Sequence, residues 1–268
     1  MSDFASVLAL SDGIRHILAI VCAVLYLSAF GACSGGGDKL KKTSSLLWAV
    51  GTSTNALIVI SNWAVNGYMP FVSMYQVLTF LSLTYTLVFV YIRYRFKGEF
   101  MRPYFMLFQG VIMVGVFFMG RTASQWSFPP ALQSVYFIPH VFSYMISYTL
   151  VAVAALMCVV SFFMKGEKKL QHEKAVYHLV LTGFPFMVLG MLLGALWANA
   201  CWESFWSWDL KETWSLVTVM TLSAYLHLRR TVNFGKYAKI LVVFAFAFEI
   251  ITLFFVGMFD SSSIHAYS

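Results

Sequence analysis

Charge is scarce in this chain. Only 11% of its 268 residues are Asp, Glu, Lys or Arg, and just 11 residues are acidic. With 60% hydrophobic residues and a mean hydropathy of +0.77, that scarcity excludes an ordinary soluble domain and points to a polytopic membrane protein. The net charge of +7 does not point to nucleic acid, because the basic residues are spread over short connections between apolar runs. Paired cysteines are also missing. Cys22, Cys33, Cys158 and Cys201 form no CxxC, which argues against a thiol-redox enzyme, a zinc site, or a protein that itself carries haem through CxxCH. Three of the four lie in apolar segments, where a cysteine reads as a small buried hydrophobe. No linker, repeat or composition break is evident, so a single membrane domain over 1–268 is expected.

What is present is a series of eight apolar segments, at about 14–34, 46–65, 74–92, 104–120, 141–163, 178–198, 213–229 and 240–258. The expected fold class is therefore an all-α polytopic membrane protein with eight transmembrane helices. Fifteen of the 18 Lys and Arg residues fall in alternate connections: Lys39, Lys41 and Lys42; Arg93, Arg95, Lys97 and Arg102; Lys165, Lys168, Lys169 and Lys174; Arg229, Arg230, Lys236 and Lys239. The other side holds only Arg15, Arg121 and Lys211. Positive loops face the cytoplasm, so both termini are expected outside. A competing reading takes Arg15, the following apolar run and FGACSGGG (30–36) as a lipoprotein signal ending at Cys33. Phe30 suits that cleavage poorly, and cleavage would place Lys39, Lys41 and Lys42 on the wrong side.

This topology sorts the six histidines. His140 follows Pro139 at the outer start of the fifth span, where proline in a first turn favours a fixed position. His265 follows the eighth span on the same side. His227 lies 13 residues after Trp214, about 20 Å down the seventh helix at 1.5 Å per residue, and cannot serve the same site. His16, His172 and His178 are expected at the surface. Glu249 sits mid-span, where an ionised carboxylate is costly and a paired or functional role is the default.

Five of the eight tryptophans fall in one outer connection, WANACWESFWSWDLKETWSL (197–216): Trp197, Trp202, Trp206, Trp208 and Trp214. An interfacial belt would spread them over several helix ends. Two outer histidines beside a dense indole surface suit a planar, apolar, anionic macrocycle whose central metal takes axial imidazoles.

That stretch resembles the WWD signature of cytochrome c assembly proteins of the CcsA/ResC type, whose usual form runs near WANEAWGxYWSWDPKETW. The preceding GFPFMVLGMLLGALWAN (183–199) and the external NGYMPFVSMYQ (66–76) are similar to that family as well, as is the order His140, His227, His265-Ala266-Tyr267. The resemblance covers the chain from about Asn66 onward. It implies the haem-handling subunit of a system II cytochrome c synthase. With a CcsB-type membrane partner, such a subunit carries haem b from a transmembrane site to an external WWD surface in the lipid bilayer's outer face. There the haem is joined to the CxxCH of apocytochrome c. Carried over, His140 and His265 are axial ligands of the external haem and His227 a ligand of the membrane haem. Trp202, Trp206 and Trp208 form the platform, with Trp197 and Trp214 flanking it and Asp209 orienting the loop. No residue acts as acid, base or nucleophile. Lys211 is open between a haem propionate and a paired loop lysine.

The departures are Ala200, Glu203 and Leu210 where the motif has Glu, Gly and Pro, and Tyr68 and Gln76 where His and Glu are common. Loss of proline's fixed φ at Leu210 is expected to loosen the turn after Asp209. Those departures also make a bacterial cytoplasmic membrane the expected location. Two other functions remain open: a haem exporter or chaperone without ligase activity, and a transporter of another solute using Glu249.

Overall fold

The computed structural model describes residues 10–35, 37–119, 129–230 and 235–255. Among them the regular structure is helical throughout, with no strand. The described residues hold eight α-helices: α1 Asp12–Ser34, α2 Asp38–Asn66, α3 Met74–Phe96, α4 Arg102–Phe118, α5 Phe137–Phe162, α6 Gly166–Trp202, α7 Leu210–Leu228 and α8 Gly235–Ile250. The last continues as a π-helical turn, Ile251–Phe255. Among the described residues seven helices are long and apolar enough to cross a membrane. The exception is α7, whose first turn carries Lys211 and Glu212 and whose length is diluted by Thr213, Ser215, Thr218, Thr221 and Ser223.

The expected spans and the helices differ at two starts. α2 begins at Asp38 and α6 at Gly166, eight and twelve residues before the apolar windows open. Both extensions are rich in lysine, a good helix former that needs water but not a loop. At 37 residues α6 is about 55 Å long, against a hydrocarbon core of about 30 Å, so nearly half of it extends beyond the core, its lysine-rich start included. Pro185 removes one backbone donor inside this helix, a loss that membrane helices tolerate.

The chain forms two compact units, Met1–Leu132 and Gln133–Ser268. In the first, α1 packs on α2 and α4, and α3 on α2 and α4. Its interior is held by a polar knot around fully buried Gln109. The Gln109 amide donates to Ser82 O at 3.0 Å and Thr86 Oγ1 at 2.7 Å, and its oxygen accepts from Trp48 Nε1 at 2.8 Å. Three helices are joined at one side chain, with all its groups satisfied. The connection at 67–73 ends in a capping box: Ser73 Oγ accepts from Gln76 N, and Gln76 Oε1 accepts from Ser73 N. Gln76 performs there what a glutamate would, because either side chain offers an oxygen to the cap.

In the second unit α5 packs on α6 and α8, and α7 on α6 and α8. The three-residue link between α5 and α6 makes them antiparallel neighbours, as does the loop at 203–209 for α6 and α7. The tryptophan-rich loop therefore leaves the unit at the end where α5 begins.

Candidate functional site

The loop is shaped by two left-handed residues and a helix cap. Glu203 ends α6 with φ +58°, and Trp208 turns the chain toward α7 with φ +60°. Asp209 then caps α7, its Oδ1 accepting from Glu212 N at 2.7 Å. The Glu212 carboxylate returns to the loop and accepts from Ser207 N at 2.8 Å, Ser207 Oγ at 3.2 Å and Asp209 N at 3.4 Å. The turn expected to be loosened by Leu210 is closed by this capping box, and Leu210 simply occupies the first helical position, where proline is favoured. Glu212 is a loop anchor that the sequence reading passed over. Its signal was available as the Asp-x-x-Glu spacing.

The tryptophans divide into three groups. Trp197 is 3% exposed, packed by Phe137 at 5.3 Å, Trp202 at 5.1 Å and His140 at 5.6 Å. Trp206 and Trp208 meet edge to face at 5.8 Å, with Trp208 70% exposed and the Trp206 indole N–H buried without a hydrogen-bond partner. Trp214 turns away from the loop and packs on Phe248 of α8 at 5.3 Å. Phe205 of the same loop is also exposed, an aromatic surface residue that no tryptophan count reveals. Burial lowers the Lys211 ammonium from its usual range, and the neighbouring Asp209 carboxylate opposes that shift.

His140 stands in the first turn of α5, as expected. Its Nδ1 is 2.8 Å from Gly190 O of α6. A carbonyl only accepts, so Nδ1 donates, and it is in the neutral imidazole that the lone pair then falls on Nε2. The imidazole lies between Trp197 and the edge of Tyr144 at 4.9 Å. Tyr144 shares a hydrogen bond with Ser215 of α7 and meets the Tyr148 ring at 5.5 Å in a tilted contact. Glu249 of α8 is 2% exposed, has no partner for either carboxyl oxygen, lies within electrostatic reach of Tyr148, and stands two residues before the start of the π-helical turn.

His227 is exposed in the last turn of α7, at the far end from Trp214. His265 lies outside the described residues. His172 is not a surface residue: it is 6% exposed, with Nδ1 2.9 Å from Lys168 O, because the segment around it belongs to α6 rather than to a loop. Near it, buried Lys239 pairs with Glu173 at 2.5 Å and lies 5.2 Å over the Phe162 ring. The structure brings together His140, Trp197 and Trp202, and next along the loop Trp206 with Trp208. Trp214 and His227 belong elsewhere on α7.

Comparison with known proteins adds a family. The model described as "Cytochrome C assembly protein" matches residues 71–263. A protein of Trieres chinensis named "Cytochrome c biogenesis protein CcsA" is 29% identical, over 78% of this chain and 81% of its own length. A protein of the same name from Chlamydomonas reinhardtii is 29% identical over 79% of this chain and 64% of its own. Another from Porphyra purpurea is 27% identical over 89% and 90%.

Proposed function

The chain belongs to the cytochrome c assembly protein family and takes part in cytochrome c biogenesis, and on that premise we propose that it holds haem at its tryptophan-rich loop and presents it to an apocytochrome. The substrate is haem b, and the partners are a CcsB-type membrane protein and an apocytochrome c bearing CxxCH. One observation carries this reading: at the loop end of α5, the His140 Nδ1–H is committed to a backbone carbonyl, so Nε2 is the nitrogen suited to iron. The groups of the loop itself suit a planar anionic macrocycle. Phe205 and Trp208 offer exposed faces, the Trp206 N–H is an unmatched donor, and Lys211 adds a cation. Bound haem supplies the vinyl groups that cysteine thiols of the apocytochrome join. The residues of this chain hold, orient and shield, and none is needed as acid or base.

In this reading His140 and His265 are the two axial ligands on the outer face, with Asp209 and Glu212 fixing the loop that carries the platform. His227, about 20 Å below Trp214, serves a second, inner haem position. The charge alternation supports basic loops in the cytoplasm and the loop outside. The test is to purify the chain with its partner and record the haem spectra of His140→Ala and His265→Ala. Both are expected to lose the bis-imidazole signature and cytochrome c maturation; retention of both would overturn the assignment. Reconstituted attachment to a CxxCH peptide separates a synthase from a carrier that only delivers haem.

A further inference from the structure

Three glycines of α6 face α5, and they are not equivalent. A Cβ on Gly183 would lie 3.2 Å from Leu150 Cβ, and one on Gly190 about the same distance, 3.1 Å, from the Tyr144 ring. Both contacts are tight, yet a few tenths of an ångström would relieve them. A Cβ on Gly194 would lie 2.7 Å from His140 Cε1 and 2.8 Å from Nδ1, closer than side chains approach. The imidazole has little freedom to give way, because it is tied to Gly190 O and flanked by Trp197 and Tyr144. Moving it would break the one hydrogen bond that selects its tautomer.

We propose that Gly194 is a positioning residue for His140: the missing Cβ at 194 and the Gly190 carbonyl one turn earlier hold the imidazole in place with Nδ1 as the donor, the tautomer whose lone pair is on Nε2. The inference rests on His140 as a haem ligand for its consequence, but not for its geometry. Small residues at this spacing are a general way for membrane helices to approach closely. Gly183 shares that packing role and lies more than two turns away from the histidine, which makes it the control.

The experiment uses the full chain with its membrane partner in detergent, as Gly194→Ala, Gly183→Ala, His140→Gly and the double variant His140→Gly/Gly194→Ala. Haem retention and axial-ligand spectra are recorded with and without free imidazole. Gly194→Ala is expected to weaken retention roughly ten- to a hundredfold, in the range seen when a metal ligand's outer support is removed. Free imidazole should restore it, Gly183→Ala should retain haem, and the double variant should match His140→Gly. If Gly194→Ala fails to fold while the double variant folds, the collision with the imidazole is demonstrated directly. Failure of both to fold, or a further loss in the double variant equal to that in the single, overturns the proposal in favour of general packing. A haem-free arm separates the two readings: 15N NMR of His140 should report the Nδ1–H tautomer in the parent and in Gly183→Ala, and lose it in Gly194→Ala. Unchanged haem ligation in His140→Gly with that NMR result sinks the ligand assignment and leaves the positioning intact. An unchanged tautomer in Gly194→Ala sinks the positioning.

Discussion

At the scale of single residues, three of the five departures from the family's usual motif acquire individual accounts. Gln76 substitutes for a glutamate in a capping box without loss of the bond. Leu210 stands where proline would pre-set the first turn, but Asp209 and Glu212 close that turn by themselves. Glu203 is the costly one. It stands where the motif has glycine, and its φ of +58° is a conformation that costs a residue with a Cβ about 1–2 kcal/mol. Glu203→Gly is therefore expected to raise stability by roughly 1 kcal/mol, after glycine's greater freedom in the unfolded chain is set against the relief. Thermal inactivation in detergent checks this, with Glu203→Ala as the comparison. Alanine keeps the Cβ and should gain little, so equal behaviour of the two would refute the strain argument.

At the scale of elements, α6 differs most from its expected form. A hydropathy window registers only the part that crosses hydrocarbon, so the segment from Gly166 to Tyr177 read as a loop. Its helix is tied down by Glu173, which reaches buried Lys239 of α8 under Phe162. Lys239 had been counted among cytoplasmic loop charges. Removing one partner of such a pair leaves the other charge uncompensated, so Glu173→Leu or Lys239→Met alone should cost about 3 kcal/mol. The double replacement should recover most of that, since apolar groups of similar volume serve as well there. A cycle in which the single losses simply add would show that the pair is not coupled.

At the scale of the whole molecule, four native cysteines offer a test of sidedness. Cys22 and Cys158 are buried, whereas Cys33 and Cys201 are partly exposed, each at the C-terminal end of its helix, and the charge alternation puts those two ends on opposite sides. With basic loops in the cytoplasm, a membrane-impermeant thiol reagent added outside should label Cys201 and leave Cys33 until the membrane is opened. Labelling of Cys33 first would invert the topology. The all-helical class and seven of the expected spans were legible because each hydrocarbon crossing demands about twenty apolar residues in sequence. The same reading set His227 apart from the loop, since rise per residue converts spacing into distance.

The amino-acid sequence by itself determined the helical class, the order of the segments, the family signature and the candidate ligands, all of which depend on residue types at short spacings. Only the tertiary structure decided how those candidates are used. Whether Trp197 lies buried against His140 while Trp208 faces outward, or Trp214 leaves for Phe248, depends on which faces of α5, α6, α7 and α8 meet. The tautomer of His140 depends on a carbonyl 50 residues away. No spacing along the chain encodes that contact, because it arises where two helices approach over glycines that carry no side chain to announce it.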